Sequence, residues 1–201
     1  TFDNTVTTTA GGNVEITHGG LLTIAAIADF TLDGTFLENG GGTVQTAGDI
    51  VTNGDTITFA SAVTLTGNVL LDTTGSGNLG GAAISLNTVN GAHTLTLDAG
   101  TGGAITTNAI GAVTPLTGLL ITDSGSVHFQ STVAVGSGGL DVTSGGAVTF
   151  DNTVTTTAGG NVEITHGGLL TMAGIADFTL DGTFLENGGG TVQTAGNIVT
   201  N

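Results

Sequence analysis

The chain has no lysine, arginine, cysteine, tryptophan or tyrosine, and one proline in 201 residues. Without a basic side chain it cannot clamp a phosphate or form a Lys or Arg salt bridge. The formal charge of −16 repels nucleic acid and anionic lipid alike. Zero cysteine removes disulfides, thiolate metal sites and thiol nucleophiles. No run approaches the roughly 18 apolar residues that a membrane helix needs, so no membrane insertion is expected. Charged residues are only 8% and hydrophobic ones 38%, which separates the chain from charged, disordered tails that have too little to bury.

What is abundant is glycine, at 37 positions, and threonine, at 41. Both serve a repeat. Residues 149–201 copy residues 1–53 at an offset of 148, with three changes among 53 positions: Ile24 becomes Met172, Ala26 becomes Gly174 and Asp49 becomes Asn197. Residues 1–148 therefore read as one full long repeat and 149–201 as the start of the next. Thr1-Phe2 corresponds to Thr149-Phe150, which in the second copy ends a strand-like run. The expectation is a window on a longer repetitive protein.

A shorter rhythm runs inside the long repeat. Apolar–polar–apolar triplets recur, among them Val14-Glu15-Ile16, Phe30-Thr31-Leu32, Ile57-Thr58-Phe59, Leu95-Thr96-Leu97 and Val148-Thr149-Phe150. Such alternation marks half-buried strands, and the Gly, Asn, Asp and Ser between them form turns. Cutting at comparable triplets gives roughly 21 residues per coil and about seven coils per long repeat, the range of a β-solenoid. The expected fold is all-β: a right-handed parallel β-helix, its hand taken from the crossover preference, forming one continuous segment over 1–201. A β-sandwich also has short strands and frequent turns, but its core draws on large aromatics and this chain has only eight Phe. Leu21–Leu32 can be drawn as a short amphipathic helix, yet β-branched Ile24 and Ile27 and the preceding glycines favour strands.

Chemistry-bearing residues are sparse. His18 and His166 are one position in two copies; with His93 and His128 they show no metal-ligand spacing. His128, between Val127 and Phe129, is expected to face outward. Asp72, Asp98 and Asp123 each end a strand before a Gly-containing turn and are the candidate calcium ligands. The same placement is what turn chemistry requires, because an Asp side chain accepts from nearby backbone N–H groups. No other cofactor is indicated. Clustered carboxylates that cut acidic sugars need a basic partner for the substrate, which is lacking, so the segment reads as non-enzymatic. Thr-x-Thr pairs at Thr56, Thr64 and Thr94 do not recur at one coil spacing, as an ice-binding face would require. No Asn-x-Ser/Thr acceptor occurs.

Residues 65–129, which open LTGNVLLDTTGSGNLGG and close ITDSGSVHF, resemble in composition and phrasing the repeat regions of giant bacterial surface and secreted proteins of the filamentous-haemagglutinin type. That resemblance implies a β-solenoid shaft, an extracellular or cell-surface location, and a role in adhesion, cell–cell connection or matrix. It transfers no functional residue. The expectation is thus a structural shaft or fibre segment. The expected partners are further copies of the same repeat, with divalent cations and cell-surface glycans as further possibilities. A carbohydrate- or partner-binding solenoid module, and a subunit of a self-assembling filament, are the alternatives. Lacking Lys and Arg, the chain also offers no site to trypsin-like proteases.

Overall fold

The computed structural model describes residues 1–201 as 25 short strands and one turn of 3-10 helix, Gly75–Gly77. Every ladder between named strands is parallel, and partners lie one coil apart in sequence. The shortest such step joins Thr43 to Ala62 and the longest joins Ile57 to Ile84. The chain is a β-solenoid of about 22 residues per turn. Each turn lays down three strands, so the rod has three faces. The first face begins with Val6–Thr7, Phe30–Leu32, Ile50–Thr52 and Val69–Asp72. The second begins with Val14–His18, Phe36–Gly40, Ile57–Phe59 and Ile84–Leu86. The third begins with Leu21–Ile24, Thr43–Thr46, Ala62–Leu65 and Val89–Asn90. Farther along, Leu116–Asp123 and Val133–Ser144 turn the corner from the third face to the first without a break, which merges those faces into one sheet.

Alternation sets which side chains fill the rod. In Ile57-Thr58-Phe59 and Val148-Thr149-Phe150 the outer pair is buried and the middle Thr is not, because successive side chains leave a strand on opposite sides. Forty-one buried apolar side chains make one cluster from Leu22 to Leu180. Leu21–Leu32 is two strands, Leu21–Ile24 and Phe30–Leu32, joined by a turn. The turn throws Ile27 into solvent at 68% exposure.

The sequence pattern suggests an interior of Val, Ile, Leu and Ala, but the structure also places all eight Phe along it. They form two runs, Phe2–Phe30–Phe36–Phe59 and Phe129–Phe150–Phe178–Phe184, with neighbouring ring centroids 4.7 to 5.8 Å apart. Phe30 lies on the first face and Phe36 on the second, so the rings pack across the lumen as well as along it. Each such contact adds about 0.5–1.5 kcal/mol beyond area burial.

The long repeat does not close on a whole number of turns. Val6 lies on the first face, whereas Val154, its counterpart in the second copy, lies on the third, after six turns and two further faces. Counterparts elsewhere shift the same way. Leu22 pairs Val44 on the third face and Leu170 pairs Val148 on the second. Val14 belongs to the second face and Val162 to the first. The expected seven coils come close to this count, but the missing third of a turn rotates the second copy around the axis.

Phe150 stacks on Phe129 at 4.7 Å and meets Phe178 at 5.0 Å. Phe150→Ala should destabilise by about 3–5 kcal/mol, while Thr149→Ala, one residue away and facing out, should stay within about 0.5 kcal/mol. Thermal unfolding of both variants checks this; equal effects would contradict the packing described.

Candidate functional site

The three carboxylates singled out by sequence lie on one edge. Asp72 pairs in register with Asp98, and Asp98 with Asp123 across a bulge, so they form a column on consecutive coils. Three of their six carboxylate oxygens accept hydrogen bonds. Asp72 Oδ1 accepts from the backbone N–H and hydroxyl of Thr74, both at 2.6 Å. Asp98 Oδ1 accepts from Gly100 N at 3.0 Å, and its Oδ2 from the Thr122 hydroxyl at 2.9 Å. Asp123 enters the ladder through its carbonyl, which accepts from Ala99 N. No three His, Asp or Glu side chains in the chain converge as a metal-holding group.

The densest polar cluster is one that sequence reasoning missed. Ile16 pairs with Glu38 and His18 with Gly40, which brings His18 and Glu38 together across one coil, while Ser61 follows from the next. Glu38 is fully buried. His18 Nε2 lies 2.7 Å from Glu38 Oε1, and His18 Nδ1 lies 2.7 Å from the Gly20 carbonyl. Ser61 donates its hydroxyl to Oε1 at 2.8 Å and its backbone N–H to Oε2 at 3.0 Å. A carbonyl only accepts, so Nδ1 carries a proton, and one further proton lies between Nε2 and Oε1. The Ser61 hydroxyl is directed at Glu38 and not at a ring nitrogen, so the group is not the Ser–His arrangement of nucleophilic sites. The cluster therefore acts as a pin through three coils. A spacing from His18 to Glu38 and from Glu38 to Ser61 close to the coil length was its only sequence signal.

Glycines make room for the pin. A Cβ on Gly42 would fall 1.9 Å from the Gly20 carbonyl oxygen and 2.5 Å from His18 Nδ1, and Gly40 has φ +146°. The second copy repeats the arrangement around His166, Gly188 and Gly190. There Nε2 lies 2.9 Å from Glu186 Oε1 but off the line of a hydrogen bond, leaving that nitrogen without one. His128 faces outward as expected and pairs with Asp151 at 2.7 Å, both about half exposed.

Two carboxylates depart from ordinary behaviour. Desolvation, followed by repulsion from Glu163, its partner on the adjacent strand, raises the pKa of Asp141. A hydrogen bond from Asn53, followed by one from Gly11 N, lowers that of Asp33. Hydroxyls and amides line a groove of about 220 Å³ on the second face, including Ser85, Asn87, Thr106, Asn108 and Gln130. Asn108 donates to Asn87 Oδ1 at 3.3 Å and Asn87 to the Ala60 carbonyl at 2.7 Å, an amide ladder along the rod.

Fold and composition together define a parallel β-solenoid built from an acidic chain. Comparison with family models, with curated proteins and with solved structures finds no match.

Glu38→Ala leaves His18 and the Ser61 N–H without their partner and should cost about 3–5 kcal/mol. Hydrogen exchange should accelerate at residues 15–18, 38–41 and 60–62 together; a change confined to one coil would contradict the pin. For Asp141 the folded-state pKa exceeds the unfolded one, so its contribution is fully present below the ordinary value of 3.8 and is lost as pH rises through the folded value. Asp141→Asn should thus stabilise at pH 7 by about 0.5 kcal/mol after solvent screening, with the gain vanishing on acidification toward pH 3.8. Asp33 has the opposite sign, its stabilisation holding above 3.8 and failing as pH falls below it. Chemical denaturation across pH reads both.

Proposed function

We propose that the chain is a segment of an extracellular or cell-surface shaft, whose work is to span distance between a cell and what it adheres to. The observation that carries this reading is the unbroken stack of coils through the end of one long repeat and into the next. Val148–Phe150 receives Leu169–Met172 on the second face, and Val133–Val135 receives Val154–Thr156 on the third, with the same parallel register as within a repeat. Copying such a unit lengthens a rod without adding an interface of a new kind. Backbone groups are satisfied by the coils on either side, and the interior offers proteases no loop to enter. The charge of −16 keeps neighbouring shafts apart within a screening length of about 10 Å at 0.1 M salt, and divalent cations would relieve that repulsion.

The amide and hydroxyl groove on the second face favours a second reading, a module that holds neutral sugars. Ser85, Thr106 and Gln130 line it, and it runs along the rod as an extended glycan would. An array of neutral glycans separates the two readings: a plain shaft binds none, and a lectin-like module binds a defined set that Gln130→Ala weakens.

Appending one more long repeat should lengthen the particle by roughly 32 Å, taking about 4.8 Å per turn, with no change in width. Small-angle scattering on the two lengths measures this. Added width, or a string of separate beads, would contradict the shaft.

A further inference from the structure

The groove on the second face is built from two files of polar side chains. Ser85 and Thr106 pair in register on consecutive coils and supply a file of hydroxyls. Two residues further on, Asn87 and Asn108 line the same groove and supply a file of amides. Backbone bonds carry that second file from coil to coil: Asn87 N donates to the Phe59 carbonyl, Asn108 N to that of Leu86 and Gln130 N to that of Thr107. Side-chain amides set at rungs of about 4.8 Å can bond one another along a stack.

The amide file runs in one direction and stops. Asn87 Nδ2 donates to the Ala60 carbonyl, and Asn108 Nδ2 donates to Asn87 Oδ1. A further rung would set an N–H against Asn108 Oδ1. Gln130 occupies that coil, but its amide, one methylene farther out, does not join the file, and on the next coil Asp151 is paired with His128. Asn108 Oδ1 is thus the open acceptor at the end of the file, and the exposed Gln130 amide lines the groove on the following coil.

Charge narrows what can meet these groups. None of the 16 acidic residues lines the groove; Asp72, Asp98 and Asp123 stand along the first face. A cation finds no carboxylate among the lining side chains, and an anion meets the repulsive field of the whole chain. The complementary ligand is neutral, rich in hydroxyls, and carries an N–H and a carbonyl in one group.

We propose that the groove recognises an extended chain of N-acetylated sugars. The acetamido N–H donates to Asn108 Oδ1 in the place of a third asparagine, its carbonyl accepts from the Gln130 amide, and ring hydroxyls bond Ser85 and Thr106. Resting on the sugar-binding reading above, this narrows neutral sugars in general to those with an acetamido group. A hydroxyl at the same ring position lacks the carbonyl that reaches Gln130 and forms one bond where the acetamido group forms two.

The β-linked tetramer of N-acetylglucosamine and the glucose tetramer of the same linkage are both neutral, so charge does not separate them. Titration calorimetry against the 201-residue chain should find the acetylated tetramer bound about tenfold more tightly, the effect of one added hydrogen bond. Gln130→Ala, at a side chain that holds no other part of the fold, should abolish this preference. Gln45→Ala on the third face should leave it intact. Equal binding of the two tetramers would overturn acetamido recognition and leave a sugar-binding groove standing. A preference that survives Gln130→Ala would overturn the site. Binding of neither tetramer would overturn the inference, and the array of neutral glycans then decides separately whether the groove holds any sugar.

Discussion

Parallel stacking of one coil on the next is the constraint on which everything else rests. A single coil of about 22 residues cannot enclose a core, and its strands would leave two rows of unpaired N–H and C=O groups. Laid on a neighbour, each coil completes the other's hydrogen bonds and closes one more slice of the interior. The outward residues are consequently freed from folding duties, and the inward ones must be apolar at nearly every turn. Glu38, which lies inside, is held by His18 on the preceding coil and by Ser61 on the following one. The pin they form with His18 adds register to a ladder that, by itself, specifies spacing more strongly than alignment.

Comparison of the two copies separates what local sequence decides from what stacking decides. The Thr8–Gly12 turn and its Asp33 and Asn13 bonds recur in the second copy at nearly the same lengths, although the second copy sits on other faces. Turn geometry is therefore local. Burial is not. Val44 and Ile50 are fully buried, whereas their counterparts Val192 and Ile198 are 49% and 40% exposed. The sequences around them differ only in Asp49, which is Asn197 in the second copy; Val44 has Val63 stacked on it and Ile50 has Leu71.

Much of the architecture was legible because strand alternation and turn chemistry are local signals. The apolar–polar–apolar triplets from Val14 to Phe150 all fall within strands, and Leu21–Leu32 resolves into two strands as its β-branched residues suggest. The coil of roughly 21 residues read from the triplets is close to the 22 observed. The three-faced cross-section was hidden because several of its strands are weakly marked: Thr43–Thr46 has one buried apolar residue, and one turn of the third face is held by isolated bridges at Ile110. The fractional number of turns was hidden for a related reason, since unequal coils do not divide the long repeat cleanly. Of the chemistry, the turn placement of Asp72 and Asp98 was readable from the following residues, but their stacking was not. The His18–Glu38–Ser61 pin and the Phe runs depend on which coil lies over which, and no local pattern carries that.

Hydrogen exchange on the two copies tests the central claim most directly, because it compares nearly identical peptides that differ in what is stacked on them. In a segment of residues 1–201 taken alone, amides in 36–52 should exchange far more slowly than their counterparts in 184–200 if each coil is completed by its neighbours. Those in 14–24 and 162–172 should show the reverse order, the second copy now lying deeper in the stack. Equal protection of each peptide and its counterpart would mean that the segments fold by themselves, and would contradict the account.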